Sequence, residues 1–443
     1  MADIQPFCAV RPAPEYAGRI AALPYDVYTR EEAKAEVERE PLSFLHIDRP
    51  ETWFDTEMDI YDPAVYEKAH SVFEEWREKG LFIQDPRPCY YIYEEVMSGR
   101  SQTGIVACAS VNDYLDDTIK KHEKTRETKL EDRIRHIEAC RAQTGPIFLA
   151  YREKKEITQI TERYKKGPAL YAFTAVDGTA QRVWKVENPA DMEQIQSAFA
   201  SLDSLYIADG HHRAASAVSV SLKRREALHL RPGQTAGDES DYFLSILFPD
   251  TDLLILPYHR VIRDLHGWTK SSFLGALEEY FEVEELAQEE LREGCPLEAP
   301  FPKEKHSFGM YLDQNWYLLK TKQRVLEAPL HPDYDVGYRQ GNRRIDDVVK
   351  SLDVSILEDY VLNPLLGILD PRRDERIDFV GGVHGLQGLK AICQKKGYEV
   401  AFALYPTSIQ ELFSVADHHA LMPPKSTWFE PKLYSGLFIH LLE

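Results

Sequence analysis

LYIADGHHRAASA, running from Leu205 to Ala217, is the stretch that decides how the chain reads. Leu205 to Ala208 is short, apolar and β-prone, and Asp209-Gly210 breaks it. His211 onward opens a helix that continues through Val218 and Val220 to Leu222. A strand, a tight turn and a helix start follow one another directly. That order aims free backbone N–H groups and the positive end of a helix dipole at one spot, which suits a phosphate. Gly210 lets a ligand come close to the backbone. Arg213, in the first turn, offers two donors to an anionic oxygen. Successive helix residues fan out by about 100°, so His211, His212 and Arg213 cannot all face one atom. The bland alternative is that Asp209 is an ordinary cap and the histidines a solvated first turn.

Working outward, a second charged stretch precedes the strand. Asp116 to Arg141 reads as one helix whose buried stripe is Leu130, Ile134, Ile137 and Cys140. Its early part, KHEKTRET, holds no apolar residue. His122, Arg126, Lys129 and Arg133 fall on one face at helical spacing. A solvated helix with local ion pairs explains such a face equally well.

The rest of the chain alternates strands and helices. A helix capped by Thr29 runs to about Glu40, and Pro63 to Lys79 is a second. Phe44 to Ile47 alternates like a strand. Cys89–Val96 and Thr103–Ser110 form a hairpin pattern, as do Leu170–Val176 and Gln181–Val186. Thr144–Tyr151, Tyr242–Phe248 and Leu253–Pro257 read as strands, the last two packed near the central one. The polar run RPGQTAGDES marks a loop. Beyond Asp264 the spacing predicts a helix from Trp268 to Phe281, a hairpin over 307–320 and a helix over Asp353–Leu366. Strands at 377–380 and 400–405 and helices at 386–396 and 408–417 follow. The expected fold class is α+β, a mixed sheet with flanking helices. Residues 1–264 form a phosphate-binding region and 265–443 a C-terminal α/β region.

Two further segments offer polar groups. LPYHRVI places His259 and Arg260 after a proline. MPPKSTWFEPK is too rich in proline for a regular element and reads as a rigid loop presenting Lys425, Ser426, Thr427 and Lys432, or else packing Trp428 and Phe429. His418-His419 does not have the spacing of a helical metal pair, and no metal site is expected. Asp333, Asp335, Asp346 and Asp347 fit a plain acidic surface equally well.

Composition bounds the function. Net charge is -20 over 443 residues, and such a surface repels nucleic acid unless its charges segregate. Six cysteines lie far apart without a CxxC pair, which argues against a thiolate zinc site or a disulfide framework. No apolar run has membrane-spanning length, and the N-terminus lacks the pattern of a secretory signal. A cytoplasmic protein with a small-molecule substrate, no nucleic acid and no membrane partner is expected; the oligomeric state is not readable.

ADGHHR resembles the phosphate-binding motif of the ParB/sulfiredoxin-like superfamily, which includes partition nucleotidases, sulfiredoxin and free-serine kinases. The whole chain resembles domain-of-unknown-function family 1015, through LPYDV, KHEKT, TGPIF, YIADGHHR, LPYHRVI and MPPKSTWFEPK. The resemblance implies a ParB/sulfiredoxin-like core. It also implies a nucleotide-dependent kinase acting on a small hydroxyl metabolite such as serine. A phosphatase or a nucleotide-binding regulator is the alternative. In that reading Asp209, Gly210, His211, His212, Arg213, Arg126 and Arg133 hold the phosphates. Glu123, His122 or His212 does the proton transfer, and Asp26, Thr125 and Lys425 contact the substrate. ATP or ADP and Mg2+ are the implied cofactors. Sulfiredoxin-type chemistry needs a cysteine at the site, and none adjoins ADGHHR or KHEKT.

Overall fold

A computed structural model describes the chain except residues 126, 232, 288–300 and 328–347. Arg126, Cys295 and the aspartates at 333, 335, 346 and 347 therefore lie outside the described residues. The chain divides into two units. Met1–Leu253 with Pro431–Glu443 makes the first, and Leu254–Glu430 the second.

The first unit is built on a nine-stranded sheet among the described residues. In chain order its strands are β1 (Ile4–Gln5), β2 (Tyr90–Met97), β3 (Arg100–Ser110), β4 (Ile119–Lys120), β5 (Ile147–Tyr151), β6 (Tyr171–Thr174), β7 (Ala180–Val186), β8 (Leu205–Asp209) and β9 (Tyr242–Pro249). They lie in the order β4-β8-β5-β9-β3-β2-β7-β6, with β1 beside β3. The pairs β8·β4 and β9·β5 are parallel, and the others are antiparallel. The fold is thus mixed α/β, a mixed sheet with flanking helices. Tyr242–Pro249 is two places from the central strand, separated from it by β5.

The longer helices of this unit are α1 (Arg30–Arg39), α2 (Pro63–Glu78), α3 (Glu127–Cys140), α4 (Lys155–Lys165), α5 (Pro189–Ala200) and α6 (His211–Ala227). Thr29 and Glu32 close a full capping box on α1. The expected stripe of α2, Val65, Ala69, Val72, Phe73 and Trp76, is buried. It packs with α1 and Phe44–Ile47 in one apolar cluster. A larger cluster joins β5, β8, α4, α5 and α6 through residues such as Leu149, Ile160, Phe199, Ile207 and Ala217.

Three local expectations fail. Leu45–Asp48 is a helical turn, not a strand, and all four of its residues are buried. Burial on every side removes the polar–apolar contrast that alternation needs. The helix expected over Asp116–Arg141 is split. Asp117 takes a positive φ of 68°, Ile119–Lys120 pairs in parallel with Leu205–Tyr206, and KHEKT is a loop before α3. Without apolar residues, that segment gains nothing by helical packing. His122 and Arg133 therefore do not share a helix face. Leu254–Leu256 pairs with Trp428–Glu430 in the second unit, not with the central strand. This also makes part of MPPKSTWFEPK a strand.

In the second unit β10 (Tyr258–Ile262), β11 (Phe281–Leu286), β12 (Ser307–Leu312), β13 (Asn315–Thr321), β14 (Ile377–Gly381) and β15 (Val400–Leu404) form an antiparallel sheet in the order β11-β13-β12-β15-β10-β14. The expected helix at Trp268–Phe281 is shorter, Lys270–Leu277, and gives way to β11. His259 and Arg260 are structural. His259 Nδ1 accepts from Leu404 N at 3.2 Å, and Arg260, fully buried, donates to the carbonyls of Tyr258, Pro424 and Lys425. Among the described residues no helix is long and apolar enough to cross a membrane.

Candidate functional site

The candidate site lies where β8 ends and α6 begins. Gly210 is the N-cap of α6 with φ 91° and ψ 30°, and no side chain caps the helix. A helix start leaves its first N–H groups without intrahelical acceptors, and among the described residues no side chain caps this one. A Cβ on Gly210 would sit 3.1 Å from Arg213 Nε and 3.3 Å from its Nη2. The guanidinium therefore lies flat against the glycine. Its Nη1 donates to the Pro146 carbonyl in the TGPIF segment. The Nε–Nη2 edge, the fork suited to a two-oxygen anion, has no hydrogen-bond partner among the described residues.

Asp209, half-buried, is fixed from two sides. Oδ1 accepts from Gly210 N at 2.9 Å, and Oδ2 meets Lys432 Nζ at 3.2 Å. Burial works to raise this carboxyl, but Lys432 and Arg213 outweigh it and hold it well below the usual carboxylate range. Asp209 is thus an ionised anchor that gathers two cations at the helix mouth.

KHEKT reaches this point after all. His122 N donates to His211 Nε2 at 3.5 Å, and Glu123 Oε2 stands 3.7 Å from His211 Nδ1. The two imidazoles meet edge to face, with centroids 4.5 Å apart. Both are buried. Burial first, then the neighbouring His211, pulls His122 down to about 3, although Glu123 and Asp209 oppose this. Burial likewise pulls His211 down to about 4, against the opposing effect of Asp209. Both rings are therefore neutral near pH 7, and His122 Nδ1 is a buried atom with no hydrogen-bond partner among the described residues. Lys121 is tied back to Asp117 and to the Tyr114 carbonyl, both at 2.7 Å, which steadies the loop. Thr125 follows in the same loop, half-buried. His212 is half-buried in the first turn of α6, where its carbonyl accepts from Ser216 Oγ.

Arg133 arrives from α3. It pairs with Asp132 at 2.8 Å and lies 4.1 Å over the Tyr25 ring. Arg133, Arg213, Tyr25, Asp48, Thr144 and Gly145 line one cavity of about 30 Å³. That volume takes one or two waters, so it is a small inner recess. Asp48 accepts from Thr144 Oγ1 at 2.8 Å. The Tyr25–Val27 turn carries LPYDV, and Arg49 clamps it through the carbonyls of Tyr25 and Tyr28, both at 2.8 Å. Glu51 holds Arg49 in turn. Asp26 on this turn is exposed. Burial raises the Tyr25 phenol to about 12 in spite of Arg133, so it stays a proton donor.

The structure thus brings Asp209, Gly210, His211, His212, Arg213, His122 and Glu123 together, with Arg133 at the recess. Lys425 belongs to the second unit, where its Nζ stands 5.2 Å from the Tyr258 ring centroid. The lysine of the same C-terminal segment that reaches the helix mouth is Lys432, seven residues on. Tyr25, Asp48, Arg49 and Thr144 were not singled out in the sequence, although Thr144 and Tyr25 lie in the quoted family segments. Among the described residues no group of three or more His, Cys, Asp or Glu is placed to hold a metal ion.

Comparison with known proteins finds likenesses among solved structures, including the following three. A conserved hypothetical protein from Pyrococcus furiosus is 14% identical, with a TM-score of 0.32 over 73% of this chain and 93% of its own. A free serine kinase in complex with AMP is 13% identical, with a TM-score of 0.32 over 71% and 84%. SbnI with a C-terminal truncation, from Staphylococcus aureus, is 13% identical, with a TM-score of 0.34 over 76% and 87%. None of the curated proteins matches. The model of the family described as "Protein of unknown function (DUF1015)" matches residues 4–355, and the chain belongs to that family.

Proposed function

We propose that the protein is a nucleotide-dependent phosphotransferase acting on a small hydroxyl metabolite. The observation that carries this reading is the uncapped α6 N-terminus at Gly210, with the free Nε–Nη2 fork of Arg213 against it and Glu123 within reach of the same helix start. Phosphoryl transfer needs positioning and charge neutralisation more than covalent help. The first N–H groups of α6 and the Arg213 fork receive the phosphates of the donor. Glu123 takes the proton of the acceptor hydroxyl. The hydroxyl oxygen forms a bond to the terminal phosphorus of ATP or ADP as that phosphorus parts from the rest of the nucleotide, which leaves one phosphate shorter with the bonding electrons. His122, neutral and buried, keeps a second positive charge away from the base. Serine, named by the motif resemblance, is the first acceptor to test.

Magnesium fits this arrangement only as an ion carried in on the nucleotide. Such an ion needs one or two carboxylates besides phosphate and water, and Asp209, held ionised, is the protein oxygen donor at the helix mouth. Bound there, the ion would neutralise phosphate charge.

The test is a thermal-shift panel of ATP, ADP, CTP and GTP, with and without Mg2+, on the wild type and Arg213→Ala. A ligand at 100 times its Kd adds about 2.7 kcal/mol to the folded state. We expect one nucleotide to do so and Arg213→Ala to lose the effect. A flat panel on the wild type would overturn the nucleotide reading. A shift that survives Arg213→Ala would remove the fork from the site. Serine-dependent release of the nucleotide shortened by one phosphate (ADP from ATP, or AMP from ADP) then decides between transfer and plain binding.

A further inference from the structure

His211 fills the first position of α6 and is only 4% exposed. Its position in ADGHHR suggests a phosphate ligand, yet both of its ring nitrogens face protein. Nε2 accepts the backbone N–H of His122 at 3.5 Å, and Nδ1 faces Glu123 Oε2 at 3.7 Å. A backbone N–H only donates, so Nε2 must carry the lone pair. In a neutral imidazole the proton is then on Nδ1, turned toward the carboxylate.

The surroundings support a neutral ring. The titratable groups about it are Asp209, His212, Lys121, His122 and Glu123. Burial, with help from His212 and Lys121, outweighs Asp209. A neutral N–H donor orients a carboxylate without quenching its basicity as a full cation would.

We infer that His211 is a positioning residue: as its Nδ1–H tautomer it fixes the Glu123 carboxylate at the mouth of α6, and it does not bind phosphate. Its own proton stays in place throughout. The part of this inference that concerns turnover rests on the proposed function; the tautomer does not.

Two measurements keep these separable. The first is long-range 1H–15N NMR of the full chain with labelled histidine, the His211 signals being assigned by their loss in His211→Asn. The expected result is a protonated Nδ1 and an unprotonated Nε2, unchanged from pH 8 to below pH 6. A protonated Nε2, or titration within that range, overturns the inference whatever the activity. The second compares His211→Asn, whose amide N–H sits near the place of Nδ1, with His211→Gln, whose amide sits near Nε2. We expect Asn to keep most of kcat and Gln to lose about tenfold or more, with little change in the nucleotide KM. Equal loss in both variants overturns the positioning role, and a raised nucleotide KM with kcat intact makes His211 a phosphate ligand. A wild type that transfers no phosphate sinks the proposed function, while the NMR result still decides the tautomer.

Discussion

Gly210 bears two constraints at once. Its φ of 91° is costly for any side chain, and an added Cβ would press on Arg213. Gly210→Ala should therefore cost about 1–2 kcal/mol of stability. It should also displace the Nε–Nη2 fork of Arg213. Urea unfolding reads the first effect, and titration with inorganic phosphate or nucleotide reads the second. Unchanged binding in a destabilised Gly210→Ala would show that the backbone at this turn does not receive the anion. The buried histidines give a pH dependence at the same scale. Their folded-state values, about 3 for His122 and about 4 for His211, lie below the ordinary 6.5. The unfolded chain therefore binds more protons below pH 6.5. Stability should fall as the pH drops from about 6.5 toward 4, with a slope of up to about 1.4 kcal/mol per pH unit for each ring. His122→Asn and His211→Asn should each flatten that slope in urea titrations between pH 7 and 5. An unaltered slope in both would mean that the rings are not held neutral by the fold. ADGHHR was legible here because strand, glycine and helix start are local signals. Lys432, 222 positions from Gly210, carries no local mark that separates it from Lys425.

At the scale of elements, the C-terminal segment is as much a part of the first unit as any strand. Val10 bridges Ile439 and Ala22 bridges Ser435, while His440–Leu441 pairs with Ala142–Gln143. Leu433, Leu437, Phe438, Ile439 and Leu442 are all buried. At about 1.5–3 kcal/mol for each buried side chain, their removal approaches the whole stability of an ordinary domain, about 5–15 kcal/mol. A chain ending at Glu430 should show no cooperative unfolding of the first unit, as followed by limited proteolysis, and should bind no nucleotide. A well-protected first unit in that truncation would refute the assignment. Periodicity read α2, whose apolar stripe is clear, correctly, whereas the helices it expected over Trp268–Phe281 and Asp353–Leu366 are shorter as α-helices, Lys270–Leu277 and Asp353–Leu357. It failed for KHEKT, where charged residues at helical spacing stood in for a stripe, since the first buried apolar residue of α3 is Ile134. It failed also at Phe44–Ile47, four residues that are all buried and so carry no pattern to read.

For the molecule as a whole, the cysteines report on the two units separately. Cys89, Cys108 and Cys140 are buried in the first and Cys393 in the second. Burial raises each of these thiols above its ordinary value, so they should resist alkylation in the native state. Pulsed alkylation along a urea gradient, read by peptide mass, should give one midpoint for the first three and a different one for Cys393. A nucleotide should move only the midpoint of the first group. A single shared midpoint would mean that the two units unfold together. The overall charge of -20 was plain from composition. The gathering of Lys432, Arg213 and Arg133 about α6 was not, because they come from three distant parts of the chain.

The order in which the chain is made gives the return of Pro431–Glu443 to the first unit a further meaning. A ribosome releases the helix mouth at Gly210 long before it reaches Lys432. At about 5–20 residues per second, the roughly 220 residues between them take about 10–40 s. Throughout that time the first unit waits without its last strand, while the second unit is being made. A product cut short anywhere in the second unit lacks both the strand that closes the core and the lysine that anchors Asp209. Aborted translation therefore leaves a chain that quality control can recognise by its open core.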